Sequence, residues 1–218
     1  EWLEIIAEEK TVEAERLTLQ ADLDGAENLL LAARDLVPDS KNVNHKLGRF
    51  YYDNGEREKG LKALAEVGTV AFVPQLRQPP QIDGSLDEPA WAHITPLTEL
   101  YQCIFSMRAL PIEGKADVYL GYRENNLYIG VKGYEPTTAN LAATITQRDG
   151  NVHLDDCVEI FLDTNHDYRS YYQIMINSIG TITDSYSDGN SRSRQWNATY
   201  RTATRVEETF WSLEIEIP

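Results

Sequence analysis

The run from Leu154 to Asp163 opens on two acids, Asp155 and Asp156, carries Glu159 among aliphatic residues on both faces and closes on Asp163. Strands avoid interior carboxylates, so these four groups demand partners. Hydrolysis by paired carboxylates would need two of them facing one cleft. Asp156 and Glu159 are an odd number of positions apart, which on a single strand sends them to opposite faces. His45, His93, His153 and His166 complete no Ser-His-Asp spacing and no HExxH, and no phosphate-cradling glycine loop is present. These residues predict a chain without catalysis, with Glu159 as a buried or edge carboxylate tied to an arginine or a tyrosine.

Other residues have binding chemistry. Asp163, Asn165 and Asp167 alternate at the exit of that strand, and three hard oxygens in one loop are what calcium takes; a hydrogen-bonded turn is the alternative. The pattern departs from an EF-hand, since the sixth place is Tyr168 and the twelfth Ile174. Arg148 and Asp149 precede Gly150, and Asp156 follows one short segment later. An arginine fork and a carboxylate can hold paired hydroxyls or can pin the loop by an internal salt bridge. Gln173 and Asn177 share one face of their strand, where they either join Arg148 or satisfy backbone groups. Trp196 lies between Gln195 and Asn197 in the most polar loop, where an indole finds little core. A flat ring beside a few fixed polar groups suits a ligand with an apolar face and a hydroxylated rim; the alternative is an indole folded over the edge of the domain. Tyr186 and Tyr101 are candidates for a second aromatic wall, and Trp91 and Trp211 are assigned to the core.

These residues need elements to position them, and the periodicity changes near residue 73. From Glu1 to about Ala71 apolar residues recur at helical spacing, as in Leu29, Leu30, Ala33, Leu36 and Val37. About four helices are predicted, one capped by Asp24 and stopped at Pro38, with Gly55 punctuating the next pair. Val73 to Pro80 reads as a stiff extended connector because each proline biases its predecessor away from helix. Beyond it the period is two. Lys115–Gly121, Asn126–Gly133, Cys157–Asp163, Tyr171–Ser178 and Trp211–Ile217 are predicted strands, with a loop-like stretch from Ser185 to Asn197. Many short strands with turn signals predict an antiparallel β-sandwich. The organisation is therefore α+β: helical hairpins over 1–73, a linker over 74–80 and a sandwich over 81–218. Because the chain opens on Glu1 and ends on the strand closing at Pro218, it reads as a piece of a longer protein.

Composition narrows the partners. The net charge is −15, with 15 acids against 9 bases in residues 1–73 and 20 against 11 in 74–218. Neither part has the basic surface of a nucleic-acid binder, and no apolar run approaches the roughly 20 residues of a membrane helix. Cys103 and Cys157 form no CxxC or Cys/His cluster; two buried thiols are expected, with a disulfide between them the alternative.

Two resemblances follow. At a 34-residue offset Ala26 aligns with Gly60, Leu30 with Leu64 and Ala33 with Val67, while Leu47, Gly48, Tyr51 and Gly55 stand where tetratricopeptide repeats place theirs. Residues 7–40 and 41–73 thus resemble two such repeats, although the first lacks the Leu-Gly pair; a plain helical stack that spaces or docks the next domain is the preferred reading. In the second part, Ile82-Asp83-Gly84, Leu86-Asp87-Glu88, Trp91, Asn126–Val131, Arg148-Asp149-Gly150, Asp155–Asp163, Asn177–Gly180 and Trp211–Pro218 occur in an order similar to that of the family nine carbohydrate-binding modules. This resemblance covers about residues 79–218. It implies a non-catalytic sandwich that binds saccharide or polysaccharide ends between aromatic side chains, with structural calcium nearby, in an extracytoplasmic (periplasmic, cell-surface or secreted) protein. On it, Trp196 is the stacking ring, Arg148, Asp156, Gln173 and Asn177 supply polar contacts, and Asp163, Asn165 and Asp167 hold the metal. A protein partner would dock through the helical repeats. The alternatives are a sensor or scaffold region of a receptor, and a haem-binding relative with Met175, Met107, Lys132 or His153 as axial ligands, because ligand does not follow from fold.

Overall fold

A computed structural model describes residues 2–98, 101–102, 110–111, 115–167 and 169–218. The chain divides into two compact units, Glu1–Phe72 and Val73–Pro218.

The first unit is four helices: α1 (Trp2–Leu19), α2 (Leu23–Leu36), α3 (Lys41–Asp53) and α4 (Arg57–Glu66). Asp22 caps α2, not Asp24: its Oδ1 accepts from the Gly25 amide at 3.0 Å, two residues earlier than expected. Ser40 caps α3 in the same way, and Gly55 turns the chain at φ +96° into α4. Small residues set the packing. Ala7, Ala14, Ala26 and Ala33 are fully buried, and a Cβ on Gly60 would stand 2.5 Å from the Tyr52 amide nitrogen of α3. No described helix is long and apolar enough to cross a membrane.

The second unit holds β1 (Tyr101–Gln102), β2 (Leu110–Pro111), β3 (Lys115–Arg123), β4 (Asn126–Tyr134), β5 (Cys157–Leu162), β6 (Tyr171–Asn177), β7 (Ile182–Ser187), β8 (Arg192–Ser193), β9 (Arg201–Val206) and β10 (Phe210–Ile217). β1 and β2 pair antiparallel as a two-stranded sheet. Two antiparallel sheets form the sandwich, one ordered β3-β4-β10-β9 and the other β5-β6-β7-β8. Their facing sides bury Ile129, Val131, Trp211, Leu213 and Ile215 against Ile160, Ile174 and Ile176. A second core lies on the outward face of the first sheet, where Leu76 and Trp91 pack with Tyr128.

Two departures from the sequence reading bear on function. The segment 74–80 is stitched to the sandwich: the Leu76 amide donates to Tyr122 O and the Tyr122 amide to Pro74 O. Leu76 sits over Gly121, where a Cβ would clash with it at 2.5 Å. The polar stretch after Ser185 begins inside a strand, because β7 alternates Thr183, Ser185 and Ser187 outward with Ile182, Asp184 and Tyr186 inward. Thr183, Asp184 and Ser185 are all fully buried, so polarity concealed the strand.

Candidate functional site

Each acid of the Leu154–Asp163 run has a partner. Asp155 accepts from the amides of Thr144 and Ile145, the Thr144 hydroxyl and the Asn177 amide group, at 2.8–3.0 Å. Burial opposes ionisation there, but these donors outweigh it and hold the carboxyl at about 2. Asp156 exchanges bonds with Ala142, donating its amide to the carbonyl and accepting the amide on Oδ2. Asp163 accepts from the Asp167 amide. Glu159 lies on the edge strand β5, exposed rather than buried, and its partner is Gln173 instead of an arginine or tyrosine.

The two sheet faces divide the expected binding residues. Asp184 points inward opposite Ile174 and is fully buried. It accepts from Arg148 Nη2 at 3.0 and 3.1 Å, from the Ala198 amide and from Tyr200 Oη. Arg148 also donates to Asn197 Oδ1 through Nε and Nη2. Trp196, half-buried, leans on Tyr172 at a centroid distance of 4.7 Å, and Tyr172 contacts Tyr186 at 5.0 Å. Arg148 and Trp196 therefore meet at one rim, where residues 194–200 cross from β8 to β9. The arginine is largely spent on Asp184 and Asn197, and the indole rests on an inward-facing tyrosine.

Gln173 and Asn177 share a face, as period two requires, but it is the outward one and they do not join Arg148. Asn177 is fully buried, donates to Ile145 O and Asp155 Oδ2, and accepts from the Thr181 amide. It holds the 144–155 loop and the β6–β7 turn and has no group left for a ligand. Gln173 belongs to a relay across four strands: Arg192 Nε donates to Ser185 Oγ at 2.9 Å, Ser185 Oγ to Gln173 Oε1 at 3.1 Å, and Gln173 Nε2 to Glu159. Beside it Phe161, opposite Gln173 in register, is 55 % exposed and meets Tyr171 edge-on at 5.3 Å. Glu159 and Arg192 at the relay's ends are exposed. Phe161 and Arg192 carry no signal of their own in the sequence, and Glu159 reads there only as a structural carboxylate; strand register brings the three together.

Asp163, Asn165 and Asp167 have local partners. Asp167 accepts from the amides of Arg169 and Ser170 and from the Ser170 hydroxyl, and Asn165 donates to the same hydroxyl. These bonds close a turn and lower the Asp167 carboxyl. Three other carboxylates, from Asp83, Glu88 and Glu214, place one oxygen each within 4.8 Å of one another. Cys157 is a half-buried free thiol raised by its burial; Tyr101's side chain, Cys103 and Met107 lie outside the described residues. Of the proposed axial ligands, Met175 and Lys132 stand on opposite outward faces of the sandwich, so these two do not share a ligand.

Residues 125–216 match the model of carbohydrate-binding family 9. Among solved structures, a protein of Bacteroides uniformis ascribed to carbohydrate binding is 17% identical at a TM-score of 0.51, over 67% of this chain and 71% of that one. A family 9 carbohydrate-binding module from Caldicellulosiruptor kristjanssonii, solved with cellotriose and with glucose, is 20% identical at a TM-score of 0.46, over 66% of this chain and 66% and 67% of those. No curated protein matches. At 17% identity the likeness to the Bacteroides uniformis protein bears on the fold alone.

Proposed function

We propose that the Val73–Pro218 unit binds saccharides without catalysis and that the sugar lies on the outward face of β5–β7. Phe161 and Tyr171 cover its apolar face, Glu159 and Arg192 engage its hydroxyls, and the buried Gln173 holds Glu159 in place. The observation that carries this reading is the Arg192–Ser185–Gln173–Glu159 relay beside a half-exposed phenyl ring. A pyranose offers C–H groups to a ring and alternating donors and acceptors at its edge, and a prealigned row of acceptor, amide and cation meets them at little entropic cost. The family match over 125–216 supports the ligand class. The rim at Trp196 and Arg148 is a second reading, favoured by the row of three rings, Trp196, Tyr172 and Tyr186.

The helical unit serves as a spacer or protein-docking segment with tetratricopeptide-like spacing, and the whole works outside the cytoplasm on polysaccharide ends. A glycan array followed by calorimetry on the full chain, starting with glucose and cellotriose, tests the function. Absence of binding to every mono- and oligosaccharide, with calcium and with chelator, would sink it.

A further inference from the structure

Three arginines near the β8 edge of the second sheet lack acids. In the Val73–Pro218 unit Arg148, Arg201 and Arg205 each form an ion pair, whereas Arg169, Arg192 and Arg194 form none among the described residues. All three are exposed, in a chain whose net charge is −15. Arg169 instead donates to Asn190 Oδ1 at 3.2 Å, in the turn that leads into β8. The acids of these turns are occupied: Asp167 accepts the amides of Arg169 and Ser170, and Asp188 those of Asn190 and Ser191.

Arg192 is the member that faces the relay. Its Nε bond to Ser185 Oγ fixes the plane of the guanidinium, and its two terminal nitrogens have no partner among the described residues. Tyr171, Ser187 and Arg192 stand in one row across β6, β7 and β8. Ser187 is small and buried, so the tyrosine and the arginine flank a floor two strand spacings wide, about 9.5 Å. Glu159, on β5, lies three spacings from β8, about 14 Å, too far to neutralise the arginine directly.

On the saccharide reading above, we propose that this face selects acidic saccharides, oligomers of uronic acids, and that Arg192 receives the sugar carboxylate. The two terminal N–H groups of a guanidinium match the two oxygens of a carboxylate, which a neutral hexose does not offer. Tyr171 covers the ring that bears the carboxylate, and Glu159 accepts from hydroxyls of a residue further along the oligomer. A cation at one end of the relay and an anion at the other give the bound oligomer a single direction.

The test is calorimetry on the full chain at low and high salt, with oligomers of galacturonate, mannuronate and glucuronate, each beside its methyl ester, and with glucose and cellotriose. At low salt the acid of at least one series should bind about tenfold tighter than its ester, and salt should shrink that preference. Arg192→Gln should abolish the preference, and Arg192→Lys, which keeps the charge but loses the fork, should retain part of it; thermal unfolding checks that both variants fold. A neutral sugar bound more tightly than every uronate overturns the selectivity and leaves the saccharide reading standing, whereas no binding to any of these sugars removes both. An acid preference that survives in Arg192→Gln, or that ignores salt in wild type, overturns the assignment to Arg192.

Discussion

Replacing Phe161 by alanine separates the outward face from the rim. The ring is 55 % exposed; an aromatic side chain of about 200 Å² therefore leaves about 110 Å² to solvent. A pyranose face covering half of that removes about 55 Å², worth about 1.4 kcal/mol at about 25 cal/mol per Å², or about tenfold in Kd. The cost to folding is the lost edge-on contact with Tyr171, about 0.5–1.5 kcal/mol, and a fall in melting temperature of about 2–5 °C. Trp196→Ala should do the reverse, loosening the 194–200 crossover and lowering the melting temperature while affinity holds. Calorimetry with the best ligand from the array, run beside thermal unfolding of both variants, decides the matter. Unchanged affinity in Phe161→Ala together with lost affinity in a fully stable Trp196→Ala would refute the reasoning and move the sugar to the rim.

Asp184→Asn keeps the shape but removes the charge facing Arg148, itself 43% exposed; a loss of about 2–3 kcal/mol by denaturant unfolding is expected, and equal stability would show the pair to be idle. Gly60→Ala forces a Cβ against the Tyr52 backbone, so the helical unit should lose about 1–3 kcal/mol, read by helical circular dichroism, while saccharide affinity stays constant. Glu88 titrates higher folded than unfolded, so its stabilisation is complete below about 4.5 and is lost as pH rises through about 7. The melting temperature should fall between pH 6 and 8, and Glu88→Gln should flatten that fall. Asp155 is the opposite case: its folded value of about 2 gives stability that is present above about 4 and lost as pH falls toward 2, a limb Asp155→Asn should remove.

Alternation made β3, β4, β5, β6 and β10 legible because each carries an apolar row that must face the other sheet. β7 and β9 lack that signal. β7 buries Thr183, Asp184 and Ser185, and β9 reads Arg201 to Val206 with charged or hydroxyl residues at four of six places. Period two put Gln173 and Asn177 on one face, but which face depends on the neighbouring strands, and the loop over 144–155 claims Asn177. Val73 to Pro80 reads as a connector from its prolines, yet one leucine over a glycine of β3 suffices to dock it. The motif residues Asp83, Glu88 and Glu214 stand out in the sequence singly. Their convergence does not, because Glu214 meets partners such as Trp91 that lie 123 positions away in the chain.

The unusual acids of this sandwich share one physical role. Asp155, Asp184, Glu214 and Glu216 are buried, and each receives donors from outside its own strand: Asp155 from 144–145, Asp184 from Arg148 and 198–200, Glu214 from 83–84 and Trp91, Glu216 from Arg201 and Asn126. A carboxylate accepts several bonds at once, so one residue in a rigid strand can anchor a loop that has little apolar surface of its own. Glu214 differs because it also gathers Asp83 and Glu88, and burial beside those acids raises the Glu88 carboxyl to about 7. Protonation of Glu88 should therefore stiffen the 82–91 segment below about pH 7 while leaving the 144–155 loop unchanged. Amide hydrogen exchange at pH 6 and at pH 8 separates the two, since equal changes in protection in both segments would mean that pH acts on the whole sandwich and not through Glu88.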